Sequence, residues 1–125
     1  MVPITDLLAG KKGLVVGVAN AQSIAAGCAR AFRGSGATLA LTYQGETARR
    51  FVEPVAKAVD AAALLPLDVR DEAQMDAVFA DLARRWGRLD CLLHSVAVCP
   101  KEDLQGRVVD CSRAGFGLAM GVSVQ

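Results

Sequence analysis

Residues 13–27, with the sequence GLVVGVANAQSIAAG, decide the fold of this chain. A short apolar run at residues 14–18 predicts a buried strand, and the segment beginning at Ser23 has helical spacing with Ser23 as its N-cap. Gly17 would let the backbone pass close to a phosphate group, toward which the helix directs its free N–H groups. Gly27 would let the helix pack close to a sheet. The pattern predicts a phosphate site, and the alternative is an ordinary tight turn.

The same alternation of strand and helix continues along the chain. Further apolar runs at residues 38–43, 63–67 and 89–94 are nearly continuous, which is typical of strands in a parallel sheet. The apolar stripes that predict the intervening helices are, in order, Ile24, Cys28, Ala31 and Phe32; Ala48, Phe51, Val52, Val55 and Val59; and Met75, Val78, Phe79, Leu82 and Trp86. We expect Pro54 to kink the second helix, Asp71 and Gln74 to form a capping box, and Gly87 to end the third helix. A fourth helix begins near Arg113.

This order of elements predicts an α/β fold with right-handed crossovers. We expect a Rossmann-like parallel sheet in the order 3-2-1-4, with helices on both faces, that stops after its fourth strand. Residues 1–125 would then form a single partial dinucleotide-binding domain. Ligands of such folds bind outside the carboxyl ends of the strands, between the first and fourth strands.

Composition argues against several other classes. Lys and Arg number 14 and Asp and Glu 13, so a net charge of +1 offers no basic excess for nucleic acid. The N-terminal residues do not resemble a signal peptide, and no apolar run reaches the roughly 18 residues of a membrane span. Four widely spaced cysteines and one histidine predict free thiols and no metal site. We therefore expect a cytoplasmic protein that binds neither membranes nor nucleic acid.

The ends of the second and third strands carry polar residues that suit a dinucleotide. Neutral Gln44 ends the second strand, Glu46 follows it, and no arginine occurs between Gln44 and Arg49. Because an arginine commonly accepts the 2′-phosphate of NADP, this favours NADH, although a polar turn without a ligand is the alternative. Asp68 could accept a hydrogen bond from the adenine amino group while Val69 packs on the ring. Asp68 is equally well explained as a turn or cap residue.

These segments together resemble a known family. They are GLVVGVAN at residues 13–20, SIA at 23–25, LTYQ at 41–44, VEP at 52–54, LDV at 67–69, WGRLD at 86–90 and HS at 94–95. From about residue 8 to residue 125, the chain is similar to the NADH-dependent enoyl-acyl-carrier-protein reductases, within the short-chain dehydrogenase/reductase superfamily. The resemblance implies an oxidoreductase of fatty acid biosynthesis that reduces a trans-2-enoyl thioester on acyl carrier protein, with NADH as cofactor, and that forms a homotetramer.

The resemblance also implies roles for individual residues. It places Gly17, Ser23 and Ile24 at the pyrophosphate and nearby ribose, Gln44 at the adenosine, Asp68 and Val69 at the adenine, and Val96 at the ribose near the nicotinamide. Cys99 occupies the position of a small residue whose backbone contacts the acyl substrate. Ala97 stands where the family usually has glycine, and its methyl group would crowd the backbone there.

The resemblance breaks at the catalytic residues. The family uses a Tyr that stabilises the enolate and a Lys six residues later, but the only tyrosine here is Tyr43, and the residues six and seven places on are Arg49 and Arg50. The family's pair lies beyond position 125, so no catalytic residue is expected within the chain and little turnover from it. The alternative is a non-catalytic NAD-binding fragment from a disrupted or truncated reductase gene.

Two other enzyme classes share parts of the pattern. An S-adenosylmethionine-dependent methyltransferase would need an acidic residue where Gln44 stands. A short-chain dehydrogenase acting on keto groups usually has Asn-Ala-Gly near residues 95–97, where this chain has Ser-Val-Ala.

Overall fold

The computed structural model describes residues 7–96, 106–107, 109 and 111–123. Its elements in chain order are β1 (Lys12–Val16), α1 (Ile24–Gly34), β2 (Thr38–Tyr43), α2 (Glu46–Ala58), β3 (Ala63–Pro66), α3 (Glu72–Trp86), β4 (Cys91–His94) and α4 (Arg113–Ser123). The chain forms two compact units that divide between Ser95 and Val96. The first unit holds the elements from β1 to β4, and the second holds α4.

The four strands form one parallel sheet in the order β3-β2-β1-β4, which confirms the predicted topology. In its register Val15 lies beside Leu41 and Leu93. The bounds of β2 match the sequence prediction, and those of the other three strands differ from it by one or two residues, because hydrogen-bonded pairing and not hydropathy defines a strand. Lys12 therefore begins β1, and β4 begins only at Cys91.

The core of the first unit lies on both faces of the two central strands. Consecutive residues of β1 and β2 are buried, and since neighbouring side chains of a strand point to opposite faces, both faces must be covered. Three valines with less than 3% exposure join this core: Val52 and Val55 of α2, and Val59, which directly follows the helix. Full burial of each such aliphatic side chain contributes roughly 1.5–3 kcal/mol.

The predicted apolar stripes are only partly correct. In α1 the buried residues are Ala25, Ala26 and Ala29, whereas Ile24 is 82% exposed and Ala31 is also exposed. Apolar residues of α1 occupy most of its circumference, interrupted by Arg30 and Arg33, so their spacing does not identify the buried face. Small alanines let the backbone approach the sheet. Phe51 and Phe79 of the other two stripes are also wrongly predicted, since they are 48% and 42% exposed, whereas Trp86 is half-buried.

The helix ends follow the sequence closely, with one exception. Asp71 caps α3 by accepting hydrogen bonds from the N–H groups of Ala73 and Gln74, and Gly87 ends the helix in the left-handed conformation, at φ 71°. The Gln74 side chain does not complete a capping box, because its Oε1 accepts a 2.7 Å hydrogen bond from the N–H of Asp68 instead. Pro54 lies inside α2, which continues through it as one helix.

Candidate functional site

Gly17 marks the place where the carboxyl ends of β1 and β4 meet. Its φ of +109° is a conformation that residues with a Cβ rarely adopt, and a Cβ added there would lie 2.0 Å from the carbonyl oxygen of Ser95. The N–H of Ser95 donates to the carbonyl of Val16 at 2.8 Å, which holds the two chain segments together. The close approach that requires glycine is therefore made by Ser95, a reason that the sequence did not reveal.

The turn after Gly17 is organised by local hydrogen bonds. Asn20 Oδ1 accepts from the N–H of Gln22 at 2.9 Å, and the Ser23 hydroxyl donates to the carbonyl of Asn20 at 2.8 Å. Arg30 reaches back from α1 to the carbonyl of Ala21 at 3.0 Å. Sequence reasoning missed Asn20, although an asparagine three residues before a serine cap is a recognisable turn residue.

Ser23 is the N-cap of α1. Its Oγ accepts a hydrogen bond from the N–H of Ala26 at 3.2 Å, so the cap satisfies one of the N–H groups that a helix leaves unpaired at its start. Because the hydroxyl proton is already donated to Asn20, Ser23 would have to rotate its O–H to serve an anion. The first-turn amides and the positive end of the helix dipole remain the main attraction for an anion, with the exposed side chain of Ile24 beside them.

Gly27 does not have the role predicted for it. A Cβ placed on Gly27 would meet only the end of the Arg30 side chain, at 3.9 Å. The close packing of α1 on the sheet comes from its three buried alanines, so a glycine at this position is not required.

Gln44 and Asp68 lie together at the carboxyl ends of β2 and β3. The N–H of Leu67 donates to the carbonyl of Tyr43 at 2.8 Å and holds these two chain segments side by side. Gln44 is exposed, and hydrogen bonding from its side chain helps to lower the pKa of Asp68, although it is the smallest of the contributions.

Arg70 donates three hydrogen bonds to the Asp68 carboxylate. Its Nε donates to Asp68 Oδ1 and its Nη2 to Oδ2, each at 3.0 Å, and its backbone N–H donates to Oδ1 at the same distance. These bonds, led by those of the guanidinium, hold the pKa of Asp68 below its ordinary value. Sequence reasoning missed Arg70; the Asp-x-Arg spacing was a signal that could have found it.

Arg49 is already engaged on the helix that follows β2. Its Nε lies 2.9 Å from Glu53 Oε1 and its Nη1 3.9 Å from Glu46 Oε2, and its guanidinium lies 5.6 Å from the ring centroid of Tyr43. Two glutamates therefore balance the first arginine after β2. Tyr43 itself is only 5% exposed.

The structure gives less information about the remaining predicted site residues, which are Val69, Val96 and Cys99. Val69 is half-buried directly after Asp68. Val96 is half-buried and is the first residue of the second unit, and Cys99 lies outside the described residues. Within the described part of the chain, no three His, Cys, Asp or Glu side chains are grouped to hold a metal ion. No helix of that same part has the length and apolar character needed to cross a bilayer.

A parallel 3-2-1-4 sheet with a capped helix after β1 defines the class of doubly wound nucleotide-binding folds. Comparison with known families narrows this class. The model of the family described as enoyl-(acyl carrier protein) reductase matches residues 17–125, and the chain belongs to that family.

Curated relatives agree with this assignment. The chain is 42% identical over 124 residues to enoyl-[acyl-carrier-protein] reductase [NADH] 1 of Rhizobium meliloti, covering 99% of this chain and 46% of that protein. It is 41% identical over 118 residues to the corresponding NADH enzyme of Aquifex aeolicus, covering 94% of this chain and 44% of the relative. The chain therefore spans less than half the length of these relatives.

Solved structures of the same family superpose closely on this chain. The enoyl-(acyl-carrier-protein) reductase of Anaplasma phagocytophilum, in complex with NAD, gives a TM-score of 0.89 at 42% identity, covering 94% of this chain and 45% of that one. The Bacillus cereus enzyme with NADP+ and an indole naphthyridinone gives 0.88 at 38% identity, covering 94% and 46%.

Proposed function

We propose that this chain is the cofactor-binding part of an NADH-dependent enoyl-acyl-carrier-protein reductase, formed as a single partial domain over residues 1–125. The observation that carries the proposal is the carboxyl edge of the sheet. There Gly17 and the Ser23-capped helix follow β1, and Asp68 follows β3 of the same parallel sheet. Helix amides suit a pyrophosphate, and an ionised carboxylate suits the amino group of adenine.

Different residues of the proposed site contact different parts of the cofactor. Gly17, Ser23 and Ile24 bind the pyrophosphate and the ribose next to it, where the first-turn amides of α1 supply the donors. Gln44 contacts the adenosine. Asp68 and Val69 hold the adenine, and Val96 lies at the ribose near the nicotinamide. The bound cofactor supplies a hydride, and the chain supplies position and electrostatics.

The charge distribution after β2 supports NADH over NADPH. A 2′-phosphate needs an uncompensated cation, and Arg49 is shared between Glu53 and Glu46. Adding a phosphate dianion beside these carboxylates would cost like-charge repulsion. A free ribose 2′-hydroxyl is neutral and meets no such cost. We therefore expect the chain to bind NADH more tightly than NADPH.

The whole enzyme would reduce a trans-2-enoyl thioester carried on acyl carrier protein, as a step of fatty acid biosynthesis in the cytoplasm. Hydride would go to the β-carbon and a proton to the α-carbon. Cys99 would contact the acyl substrate through its backbone. As in the family, the complete enzyme would form a homotetramer.

A second candidate is a dinucleotide-binding protein without catalysis. Tyr43, the only tyrosine, ends β2 with 5% exposure, and the residues six and seven places on are arginines, Arg49 and Arg50. A chain that lacks the family's Tyr and Lys pair should bind NADH and turn over little or no substrate.

One experiment separates these functions. Titration of NADH into the 125-residue chain, followed by the fluorescence of the reduced nicotinamide, should give a saturable signal that NADPH matches only at higher concentration. Oxidation of NADH is then followed with a trans-2-butenoyl thioester of acyl carrier protein. Binding without oxidation is expected both of the cofactor-binding part of a reductase and of the non-catalytic alternative, oxidation excludes the non-catalytic alternative, and failure of well-folded protein to bind NADH refutes both.

A further inference from the structure

We propose that Arg70 is a positioning residue that makes the site selective for adenine, by fixing the carboxylate of Asp68 in one orientation. This inference rests on the proposed NADH site and deepens it. Neither the sequence pattern nor the family resemblance assigned a role to Arg70.

The geometry of the pair carries the inference. The planar guanidinium of Arg70 binds both carboxylate oxygens, with Nε on Oδ1 and Nη2 on Oδ2 at 3.0 Å each. A two-point contact of this kind fixes the carboxylate plane as well as its position, which a lysine ammonium does not do. The backbone N–H of Arg70 adds a third hydrogen bond to the carboxylate, on Oδ1, so the pair is held from the backbone too.

The hydrogen bonds from Arg70 leave the Asp68 carboxylate with one open acceptor position. A carboxylate has about four acceptor positions, and Arg70 takes two on Oδ1 but only one on Oδ2. The open position is therefore on Oδ2. The Gln44 side chain also hydrogen-bonds to this carboxylate, and its contribution to the lowered pKa is the smallest. An amino group donates to such an oxygen, whereas a carbonyl in its place is repelled.

The backbone at Asp68 is held independently of Arg70. The N–H of Asp68 donates to Gln74 Oε1 at 2.7 Å, and the carbonyl of Asp68 accepts from the N–H of Asp71 at 2.8 Å. Substitution of Arg70 should therefore free the carboxylate without displacing the loop. The side chains of Asp68 and Arg70 are 30% and 51% exposed, which places the pair where a ligand could reach it.

The test compares NADH with its hypoxanthine analogue, in which a carbonyl replaces the adenine amino group. Dissociation constants of both are measured for the 125-residue chain and for Arg70→Ala, Arg70→Lys and Asp68→Asn. The matched control is Arg84→Ala, which removes an exposed arginine paired at 3.0 Å with Asp81 on α3. Thermal melting checks that each variant is folded.

We expect the unsubstituted chain to prefer NADH by about tenfold, as the loss of one hydrogen bond to a charged group predicts. Arg70→Ala should reduce this ratio at least about threefold, Arg70→Lys should recover part of it, and Arg84→Ala should leave it unchanged. Since Arg70 lowers the pKa of Asp68, the preference should also fade at a higher pH in Arg70→Ala than in the unsubstituted chain as the solution is acidified.

An unchanged ratio in folded Arg70→Ala overturns the inference and leaves the proposed function standing. If that variant does not fold, Asp68→Asn decides, because a full preference for NADH in a chain without this carboxylate also overturns it. Absence of NADH binding by the unsubstituted chain overturns the proposed function itself, and the role of Arg70 with it.

Discussion

The parallel strands begin at one end of the sheet, the amino edge, and finish at the other, the carboxyl edge. These two edges use their polar groups in opposite ways. At the amino edge, Asp90 Oδ2 accepts from the N–H of Lys12 at 2.8 Å and from Arg88 Nε at 3.2 Å, while Arg88 Nη2 donates to the carbonyl of Gly10 at 3.0 Å. The bonds to Lys12 and Gly10 join residues 78 positions apart. This edge ties β1 to the chain segment that leads into β4.

At the carboxyl edge the side-chain bonds are mostly local. Asn20, Ser23 and Asp68 bond to groups two or three residues away, so each loop is ordered by itself. The strand ends meet through backbone contacts such as that of Gly17 with Ser95. The comparison teaches that long-range side-chain pairing stabilises one edge of this sheet, while the other edge keeps ordered loops that can face a ligand.

Substitution of Gly17 should have the largest effect on stability. Gly17→Ala adds a Cβ that clashes with the Ser95 carbonyl, in a backbone conformation that alanine disfavours. We expect a loss of about 3 kcal/mol or more, from backbone strain and overpacking together, measured by urea unfolding followed by circular dichroism.

The matched control is Gly27→Ala. Its Cβ would make only an ordinary contact with the end of the Arg30 side chain, at 3.9 Å, and lies inside α1, so the change should raise the free energy of unfolding by roughly 0.5–1 kcal/mol. Equal effects of the two substitutions on the free energy of unfolding would show that the close contact between Gly17 and Ser95 does not require a glycine.

Removal of the N-cap should have an intermediate effect. Ser23→Ala deletes the acceptor of the Ala26 N–H and the donor to Asn20, and we expect a loss of about 1 kcal/mol in the same unfolding experiment. Ser23→Gly should cost only a few tenths of a kcal/mol. A larger loss for glycine than for alanine would contradict the assignment of Ser23 as the cap.

The smallest effect concerns the amino edge and appears only in acid. The N–H of Lys12, and then Arg88, hold the pKa of Asp90 below its ordinary value. A lowered pKa gives stability that is present above the pKa of the unfolded chain and is lost as the pH falls through the lower folded value. Asp90→Asn should therefore flatten the loss of stability below about pH 4. Asp76→Asn, in an exposed position on α3, is the control, and identical acid limbs for the two variants would refute the pairing.

The topology was predictable from sequence because it depends on strong, repeated features. Nearly continuous apolar runs and glycine-containing turns identify the parallel strands, and Ser23, Asp71 and Gly87 mark helix ends by side-chain or backbone chemistry that acts locally. The predicted face of α1 was wrong because alanine, cysteine and isoleucine surround it, so composition alone does not show which side meets the sheet.

The site was predictable only in part. Positions such as Gly17, Gln44 and Asp68 follow from the rule that the carboxyl ends of parallel strands share one edge. The partners of these residues were not predictable, since Ser95 approaches Gly17 from a strand far along the chain. The choice of Gln74 for the N–H of Asp68, and not for a capping box, is likewise a matter of three-dimensional geometry.

β1 and β4 are neighbours in the sheet but lie far apart along the sequence, which affects the order in which the strands pair during synthesis. The partners of β1 in β4 are about three times farther along the chain than those in β2, and closing the longer loop costs about 1 kcal/mol more in entropy. A nascent polypeptide leaving the ribosome can pair β1 with β2 early. The carboxylate of Asp90 can bond to Lys12 only after about ninety residues have emerged. The close backbone contact between Gly17 and Ser95 is therefore among the last parts of the four-stranded sheet to form.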